Sequence, residues 1–412
     1  MSIKNRFSET AFNVLSLSLI NVLNLVMMLV TMPYLSRVLG PENCGYYFIF
    51  ISASLFAGIL TDYSTQITGV RQIAQHQNPT QLQPLYTEYQ AVRMLFGLCS
   101  CLIFTTYTRY TVPPVSIITA LSYFVLTLGG HYLTAAWFHQ GISKLSALAV
   151  STLVSRLLQI AALLLLVKSP GDMLTAVFIN AFSYAVTGIC ALWYRVTCLS
   201  IKEHLNFNQL LRTIRQGWNS FVGDFSPNLY SNIPLLVIGS LVSPPVFAAY
   251  SMAMRLVAIA GAVQLMLSKA AYPVIAKGKG QFIHLMYLNI LLSLIPVLII
   301  WLYGDQVMAL FLGNTYPDVA DYMRYLSPGI FFNGILTAFA YGYFLPNRHD
   351  RVFRNISVFV SLVSAVAGYG MIYACSVTGA IAMFVFARIL FVFCYCLLYT
   401  SDADDDGESV DL

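Results

Sequence analysis

Long apolar segments recur along the whole chain, and they constrain its fold more than any other feature. A bilayer core is crossed by about 20 apolar residues in a helix, and every backbone polar group in lipid must be hydrogen-bonded within the protein. We therefore predict an all-α membrane protein of about twelve transmembrane helices. The segments are residues 11–35, 44–68, 91–107, 115–138, 145–167, 173–194, 218–242, 247–268, 283–303, 319–344, 356–373 and 378–398.

The composition excludes a water-soluble globular protein. The 412 residues are 58% hydrophobic and only 9% charged, whereas an ordinary soluble domain is about 25% charged. The net charge of +5 becomes +11 without the last eleven residues, which hold six acids. In so apolar a chain this excess indicates membrane orientation and attraction to anionic lipid. We therefore predict membrane lipids, and no nucleic acid, as partners.

Motifs of common enzymes are absent from the sequence. It has no Walker phosphate loop, no HExxH and no GxSxG pattern, and its eight Cys and six His show no metal-ligand spacing. We predict a protein that is not an enzyme and that holds no metal and no cofactor.

The connectors between the predicted helices alternate in charge, which indicates their orientation. Fifteen Lys and Arg fall on one side of the membrane and four on the other. The larger group is Lys4, Arg6, Arg71, Arg93, Lys144, Arg195, Lys202, Arg212, Arg215, Lys269, Lys277, Lys279, Arg348, Arg351 and Arg354, and the smaller is Arg37, Arg109, Lys168 and Arg324. The positive-inside rule places the larger group and both termini in the cytoplasm.

The predicted helices divide into two sets of six. The longest cytoplasmic connector, residues 194–217, falls near the middle of the chain, and Gly40-Pro41 before the second helix matches Ser243-Pro244 before the eighth. Repeated bundles flank a central site in many transporters. We predict pseudo-two-fold six-helix bundles at 1–200 and 201–399. The acidic tail at 400–412 is more typical of an appended foreign sequence than of a functional segment. The alternative is a disordered tail, and we assign it no role.

Five segments resemble a known family. They are LSRVLGPENCGYY (35–47), DYSTQITGVRQIA (62–74), AWFHQGISKLSAL (136–148), SNIPLLVIGSLVSPPVFAAYSMAMRLV (231–257) and LSKAAYPVIAKG (267–278). They resemble, in the same order, the polysaccharide-biosynthesis flippases called Wzx, which transport O-antigen or capsule repeat units. The most specific part is WFHQG, which is similar to the turn after the family's fourth helix.

The resemblance implies fold, substrate and location together. The fold is that of the multidrug/oligosaccharidyl-lipid/polysaccharide (MOP) superfamily, which is MATE-like. The implied substrate is an undecaprenyl-pyrophosphate-linked oligosaccharide, moved across the bacterial inner membrane from the cytoplasmic to the periplasmic leaflet by alternating access. A polysaccharide polymerase and a chain-length regulator are the partners expected with such a transporter.

Three arginines lie deep in the predicted helices. Arg156 is about eleven residues into the fifth helix, and Arg255 and Arg388 are about eight to ten residues from the outer ends of the eighth and twelfth. A charge in a membrane helix costs at least about 2.5 kcal/mol, so it normally faces water or a partner. Because a guanidinium bonds two phosphate oxygens at once, we predict that these three line a substrate cavity. The alternative is that each pairs with a nearby acid or helix carbonyl.

Acids and amides in the membrane are further candidates. Asp62 and Asp224 lie in the second and seventh helices, where a carboxylate that binds a proton or sodium ion would couple transport to a gradient. A salt bridge between Asp62 and Arg71 and a helix cap at Asp224 are the alternatives. Polar residues in the seventh helix either contact sugar hydroxyls or form interhelical hydrogen bonds. They are Asn228, Tyr230 and Asn232.

Two other functions stay open at this point. A drug or cation exporter of the same fold would need an acid-rich cavity, which the three deep arginines disfavour. A membrane-bound polysaccharide polymerase or glycosyltransferase would need a sizeable outer loop with catalytic residues. The predicted outer loops are short.

Overall fold

The computed structural model describes most of the chain. It covers the backbone of residues 3–76, 79–202, 207–278, 280–347 and 349–408, and leaves out the side chains of 1–18, 77–80, 203–206, 279, 348, 350 and 401–412. Four of the predicted cytoplasmic cations are thereby outside the described residues, namely Lys4, Arg6, Lys279 and Arg348. Every regular element of the described backbone is a helix, which confirms the all-α prediction.

The first of two compact units spans Met1–Asp224. Its helices are α1 (Ile3–Asp62), α2 (Thr68–Gln75), α3 (Pro79–Thr111), α4 (Ile117–Thr134), α5 (Ala136–Gly141), α6 (Ser146–Leu166), α7 (Met173–Cys198) and α8 (Leu210–Phe225). The turn after α1 holds α8 in this unit. The Tyr63 hydroxyl donates to the Ile214 carbonyl at 3.1 Å. The Ser64 hydroxyl donates to the Gly217 carbonyl at 3.3 Å.

The second unit spans Phe225–Leu412. Its helices are α9 (Asn228–Ser231), α10 (Ile233–Leu241), α11 (Pro244–Ile275), α12 (Phe282–Leu312), α13 (Asp318–Phe339) and α14 (Asp350–Glu408). A π-helical turn, Ala340–Phe344, extends α13. The predicted seventh helix, residues 218–242, is thus divided among α8, α9 and α10, because Pro227 and Pro234 interrupt the backbone hydrogen bonding.

Eight helices of the described chain are long and apolar enough to cross a membrane. Two of them are long enough to cross twice: the span in α1 has 44 residues with a kink at Gly40, and the span in α14 has 50 residues with a kink at Ser376. Large apolar side chains are exposed on these helices, as lipid contact requires, for example Leu102 of α3, Leu165 of α6 and Val366 of α14. The protein is a multi-pass membrane protein, and the count of twelve spans stays a prediction.

The end of α12 corrects one expectation. The sequence DQVMALFLG (305–313) predicts a separate interfacial helix after a loop at Gly304. In the structure α12 continues to Leu312. A glycine weakens a helix by only about 1 kcal/mol, so Gly304 does not end it. The helix stops at Gly313, which adopts a φ of 81° in the left-handed region that glycine favours.

Helices α4 and α7 approach each other through two glycines. A Cβ atom added at Gly130 would lie 2.4 Å from the Tyr184 carbonyl carbon, and one added at Gly188 would lie 2.4 Å from the Gly130 carbonyl oxygen. Backbone atoms cannot move aside as a side chain can. Small residues therefore set the distance between these helices, as is common in membranes.

Replacement of Gly130 by alanine is expected to destabilise the first unit by about 3 kcal/mol, near the upper end for overpacking. Thermal unfolding of the purified protein in detergent measures the change. The neighbouring Gly129 is a matched control, because a Cβ atom there has nothing within 4 Å. Equal unfolding temperatures for Gly130→Ala and Gly129→Ala would contradict the close-approach explanation.

Candidate functional site

The WFHQG segment forms α5, a short helix directly after α4. Trp137, Phe138 and His139 are almost completely buried, although their position in sequence predicts an interfacial aromatic belt. The Trp137 ring stacks on Tyr86 with centroids 6.0 Å apart. A left-handed Ala135, with a φ of 41°, separates α4 from α5. The segment is therefore a packed turn that ends α4 inside the protein.

The last four carbonyls of α4 are bonded by two buried arginines. Arg93 of α3 donates to the carbonyls of His131 at 3.0 Å and Tyr132 at 2.9 Å. Arg195 of α7 donates to the carbonyls of Leu133 at 2.6 Å and Thr134 at 3.1 Å. Helix carbonyls at a C-terminus have no partner within the helix, and cations also favour the negative end of its dipole. These two arginines thus cap α4.

These arginines belong to the fifteen cations predicted at the cytoplasmic helix ends and loops. The exposed fractions of Arg93 and Arg195 are 1% and 0%. Helix α3 begins at Pro79, twelve residues before the predicted segment, so Arg93 is fourteen residues inside it. Arg195 lies in the last turn of α7. Both are thus buried within helices, and the predicted membrane orientation stays a prediction.

Asp62, the last residue of α1, pairs with Arg93. The Arg93 Nε donates to Asp62 Oδ1 at 3.1 Å, and the Arg93 Nη2 lies 3.0 Å from the same oxygen. The Nε2 atom of His131 is 3.1 Å from this oxygen as well, and Gln66 donates to Oδ2 at 3.3 Å. The alternative of a salt bridge to Arg71 is therefore wrong. One guanidinium joins the Asp62 carboxylate to the end of α4.

His131 and Tyr184 line two cavities. One, of about 200 Å³, is lined by Asp62, Gly58 and Thr127, among others. The other, of about 130 Å³, is lined by polar side chains and by the predicted Arg156. Its polar lining consists of Asn24, His131, Thr134, Thr152, Arg156, Ser183, Tyr184 and Thr187. We call this second space the Arg156 cavity.

The contacts of Arg156 are all to neutral groups. Its Nε donates to Asn24 Oδ1 at 3.1 Å, and its Nη1 donates to Gln159 Oε1 at 2.7 Å and to Ser183 Oγ at 3.3 Å. The guanidinium also lies over the Tyr184 ring, 5.4 Å from its centroid. Among the described residues no acid lines the Arg156 cavity. A cation held in this way can accept an anionic ligand.

In the second unit the structure brings two predicted residues together. The Arg388 guanidinium lies 5.8 Å from the Tyr230 ring centroid and donates to Asn333 Oδ1. Asn333 itself donates to Gln264 Oε1 at 2.6 Å, within a buried polar network. Gln264 belongs to α11 and Asn333 to α13, so Arg388 joins three helices.

The remaining predicted site residues are placed more locally. Asn232 donates to Asn228 Oδ1 at 2.6 Å, and Asn228 donates to the Phe225 carbonyl at 3.0 Å. The Arg255 Nε contacts Ser251 Oγ at 3.3 Å in the preceding turn of α11. Asp224 is exposed near the end of α8. Asp224 lies near enough to Asp62 for the two carboxylates to repel each other.

Several lining residues were missed at the level of sequence. Thr152 lies four residues before the predicted Arg156 in α6, and Ser183 and Thr187 are spaced four apart in α7. Such spacing places polar groups on one face of a helix. The polar residues that share one face of each helix, taken together with the charges, predict the lining of the Arg156 cavity.

Comparison with known proteins identifies the family. The family described as "Polysaccharide biosynthesis protein" matches residues 11–279. The chain belongs to this family. A Shigella dysenteriae relative assigned as an O-antigen transporter is 20% identical over 395 residues, covering 92% of this chain and 97% of the relative. An Escherichia coli K12 relative with the same assignment is 25% identical over 366 residues, covering 85% of this chain and 87% of the relative.

Solved structures show the fold of this family member. The lipid II flippase MurJ in an inward closed conformation aligns with a TM-score of 0.73 at 12% identity, over 93% of this chain and 87% of that one. An inward-facing MATE multidrug transporter of the MOP superfamily aligns with a TM-score of 0.65 at 14% identity, over 92% and 95%. The predicted MATE-like fold and family resemblance are confirmed.

Proposed function

We propose that this family member is a flippase for an undecaprenyl-pyrophosphate-linked oligosaccharide, an O-antigen or capsule repeat unit. It moves the substrate from the cytoplasmic to the periplasmic leaflet of the bacterial inner membrane by alternating access. Both relatives are assigned as O-antigen transporters, which supports the substrate class. The observation that carries the proposal is Arg156, a cation with neutral partners in a cavity of hydrogen-bond donors.

The physical argument concerns charge. A pyrophosphate oxygen about 4 Å from a guanidinium gains about 4 kcal/mol in surroundings of intermediate polarity, which outweighs any neutral contact. Threonine and serine hydroxyls in the cavity offer further donors to phosphate or sugar oxygens. A drug or cation exporter is disfavoured, because a cationic ligand would be repelled by Arg156.

Other predicted residues complete the proposal. Arg255 and Arg388 serve the anionic substrate in the second unit, and Tyr230 contacts a sugar ring beside Arg388. Asn228 and Asn232 act together, since they bond each other. Both termini are cytoplasmic, and the polysaccharide polymerase and chain-length regulator act next to the flippase.

The test is complementation of a flippase-deleted strain, with surface polysaccharide as the readout. Arg156→Ala is expected to lower surface polysaccharide at least tenfold, because the pyrophosphate loses its counter-charge. Arg156→Lys restores only part of it, since an ammonium lacks the planar fork. Arg109→Ala is a control, because Arg109 is exposed in the last turn of α3. Full activity of both Arg156→Ala and Arg255→Ala would remove the anion site.

Coupling through Asp62 and Asp224 is a separate part of the proposal. Substrate movement in proteoliposomes is expected to increase under an imposed proton or sodium gradient. Asp224→Asn should abolish that increase if Asp224 carries the ion. Transport that ignores both gradients would discard the role of both carboxylates.

A further inference from the structure

His131 lines both cavities of the first unit, and its side chain is 27% exposed. Its Nε2 is 3.1 Å from the Asp62 carboxylate, which lines one cavity, and Arg156 lines the other cavity with it. Arg93 fixes the backbone at this position by donating to the His131 carbonyl. The ring is therefore a shared lining residue held at a set place.

The charges around the ring come from five other helices, one of which is α8, whose Asp224 repels the Asp62 carboxylate. Asp62 of α1 and Arg93 of α3 form an ion pair whose charges offset each other. Arg156 of α6 faces the second cavity, with Tyr184 of α7 beside it. Arg195 of α7 bonds the two carbonyls at the end of α4, after the ring. The only described carboxylate in contact with His131 is therefore already paired.

The charge of the Arg156 cavity depends on this histidine. With a neutral ring, Arg156 is the one cation of its described lining, and with a protonated ring there are two. Histidine is the side chain that ordinarily changes charge between pH 5 and 8. A second cation would strengthen anion binding, and a bound anion would in turn strengthen proton binding by the same factor.

We propose that the first unit binds the anionic group of its substrate together with one proton, which His131 carries. This inference rests on the proposed function and adds to it the group through which a proton gradient acts. Asp62 then serves as a fixed negative charge beside the ring rather than as an ion carrier, so that Asp224 is the remaining carboxylate candidate for coupling. The ligand chemistry is a pyrophosphate group, which is a diester in the proposed substrate and a monoester in the probe used below.

The test uses the full-length protein in detergent and farnesyl pyrophosphate, a short polyprenyl pyrophosphate, as the probe. The Kd of the parent at pH 8 is expected to be about tenfold weaker than at pH 6, within the usual range of coupling between sites. His131→Gln should lower this ratio to less than twofold. The titration of the probe itself is common to all variants and cancels when their ratios are compared.

Two variants serve as controls. His284→Gln, at an exposed position of α12 in the other unit, should keep the parental ratio. Arg156→Gln should weaken binding at both pH values. An unchanged ratio in His131→Gln, with binding still dependent on Arg156, would overturn the role of His131 and leave the proposed function standing. A parent that neither binds the probe nor complements the deleted strain would overturn both.

A measurement on the parent alone guards against misfolding of His131→Gln. Calorimetric binding at pH 8, where the pyrophosphate monoester is already fully ionised and has no proton to release, in buffers of different ionisation enthalpy reports the protons taken up by the protein. Net uptake is expected, because the ring gains a proton as the anion binds. No uptake, or release of protons, would overturn the inference.

Discussion

Replacement of Arg195 by alanine is expected to leave little folded protein in the membrane. The side chain is fully buried and donates to the carbonyls of Leu133 and Thr134 at the end of α4. Each hydrogen bond to a charged group contributes about 1.5–3 kcal/mol, and the two carbonyls cannot reach water when the arginine is gone. A loss of about 3–6 kcal/mol is comparable with the whole stability of many proteins.

The yield of monodisperse protein after detergent extraction, and its unfolding temperature, measure this effect. Arg195→Lys should recover only part of the stability, because an ammonium on a flexible stem lacks the planar fork of the guanidinium. Arg215→Ala is the matched control, since both residues belong to the same predicted cytoplasmic set and Arg215 is exposed on α8. Similar yields for Arg195→Ala and Arg215→Ala would refute the capping role.

The contrast between Arg156 and Arg195 shows what the sequence could predict. Depth within an apolar segment was enough to select Arg156, because a cation near the midplane must have a partner or water. The same counting assigned Arg195 to a loop, since it follows the predicted end of its segment by one residue. Which carbonyls it would bond depends on where α4 ends, and that is set by the left-handed Ala135 and the packing of α5.

The sequence likewise could not predict which residues far apart in the chain form pairs. Asp62 has Arg71 nearby in the chain, but the two basic residues on its carboxylate are 31 and 69 positions away. The helix ends that bring these groups together depend on α3 beginning well before its apolar part. Apolar segments predict which parts of the chain contact lipid, whereas tertiary packing determines which polar residues bond to each other.

The two buried arginines also link stability to the proposed transport site. Arg93 bonds the carbonyl of His131, and the His131 ring lines the Arg156 cavity. The cap of α4 therefore sets the position of a cavity wall. A variant that weakens the cap would lose transport through misplacement of the wall, so measurements of folding must accompany each transport assay.

Asp62→Asn is expected to destabilise the protein by about 3 kcal/mol or more, because Arg93 is left buried without its counter-charge. Arg93→Gln should cost more, since it also removes the bonds to the carbonyls of His131 and Tyr132. The double variant should lose less stability than the sum of the two single losses. The difference should be about 2–3 kcal/mol, the upper range for residues in contact.

The exposed pair of Asp305 and Arg324 gives the control for that cycle. Their side chains are 68% and 23% exposed, so solvent screens the interaction. Its double-variant cycle should yield a coupling of less than about 1 kcal/mol. Both cycles are measured as free energies of unfolding in the same detergent. Equal coupling in the two cycles would mean that the Asp62 pair is screened by water, and the fixed negative charge beside His131 would then lose its basis.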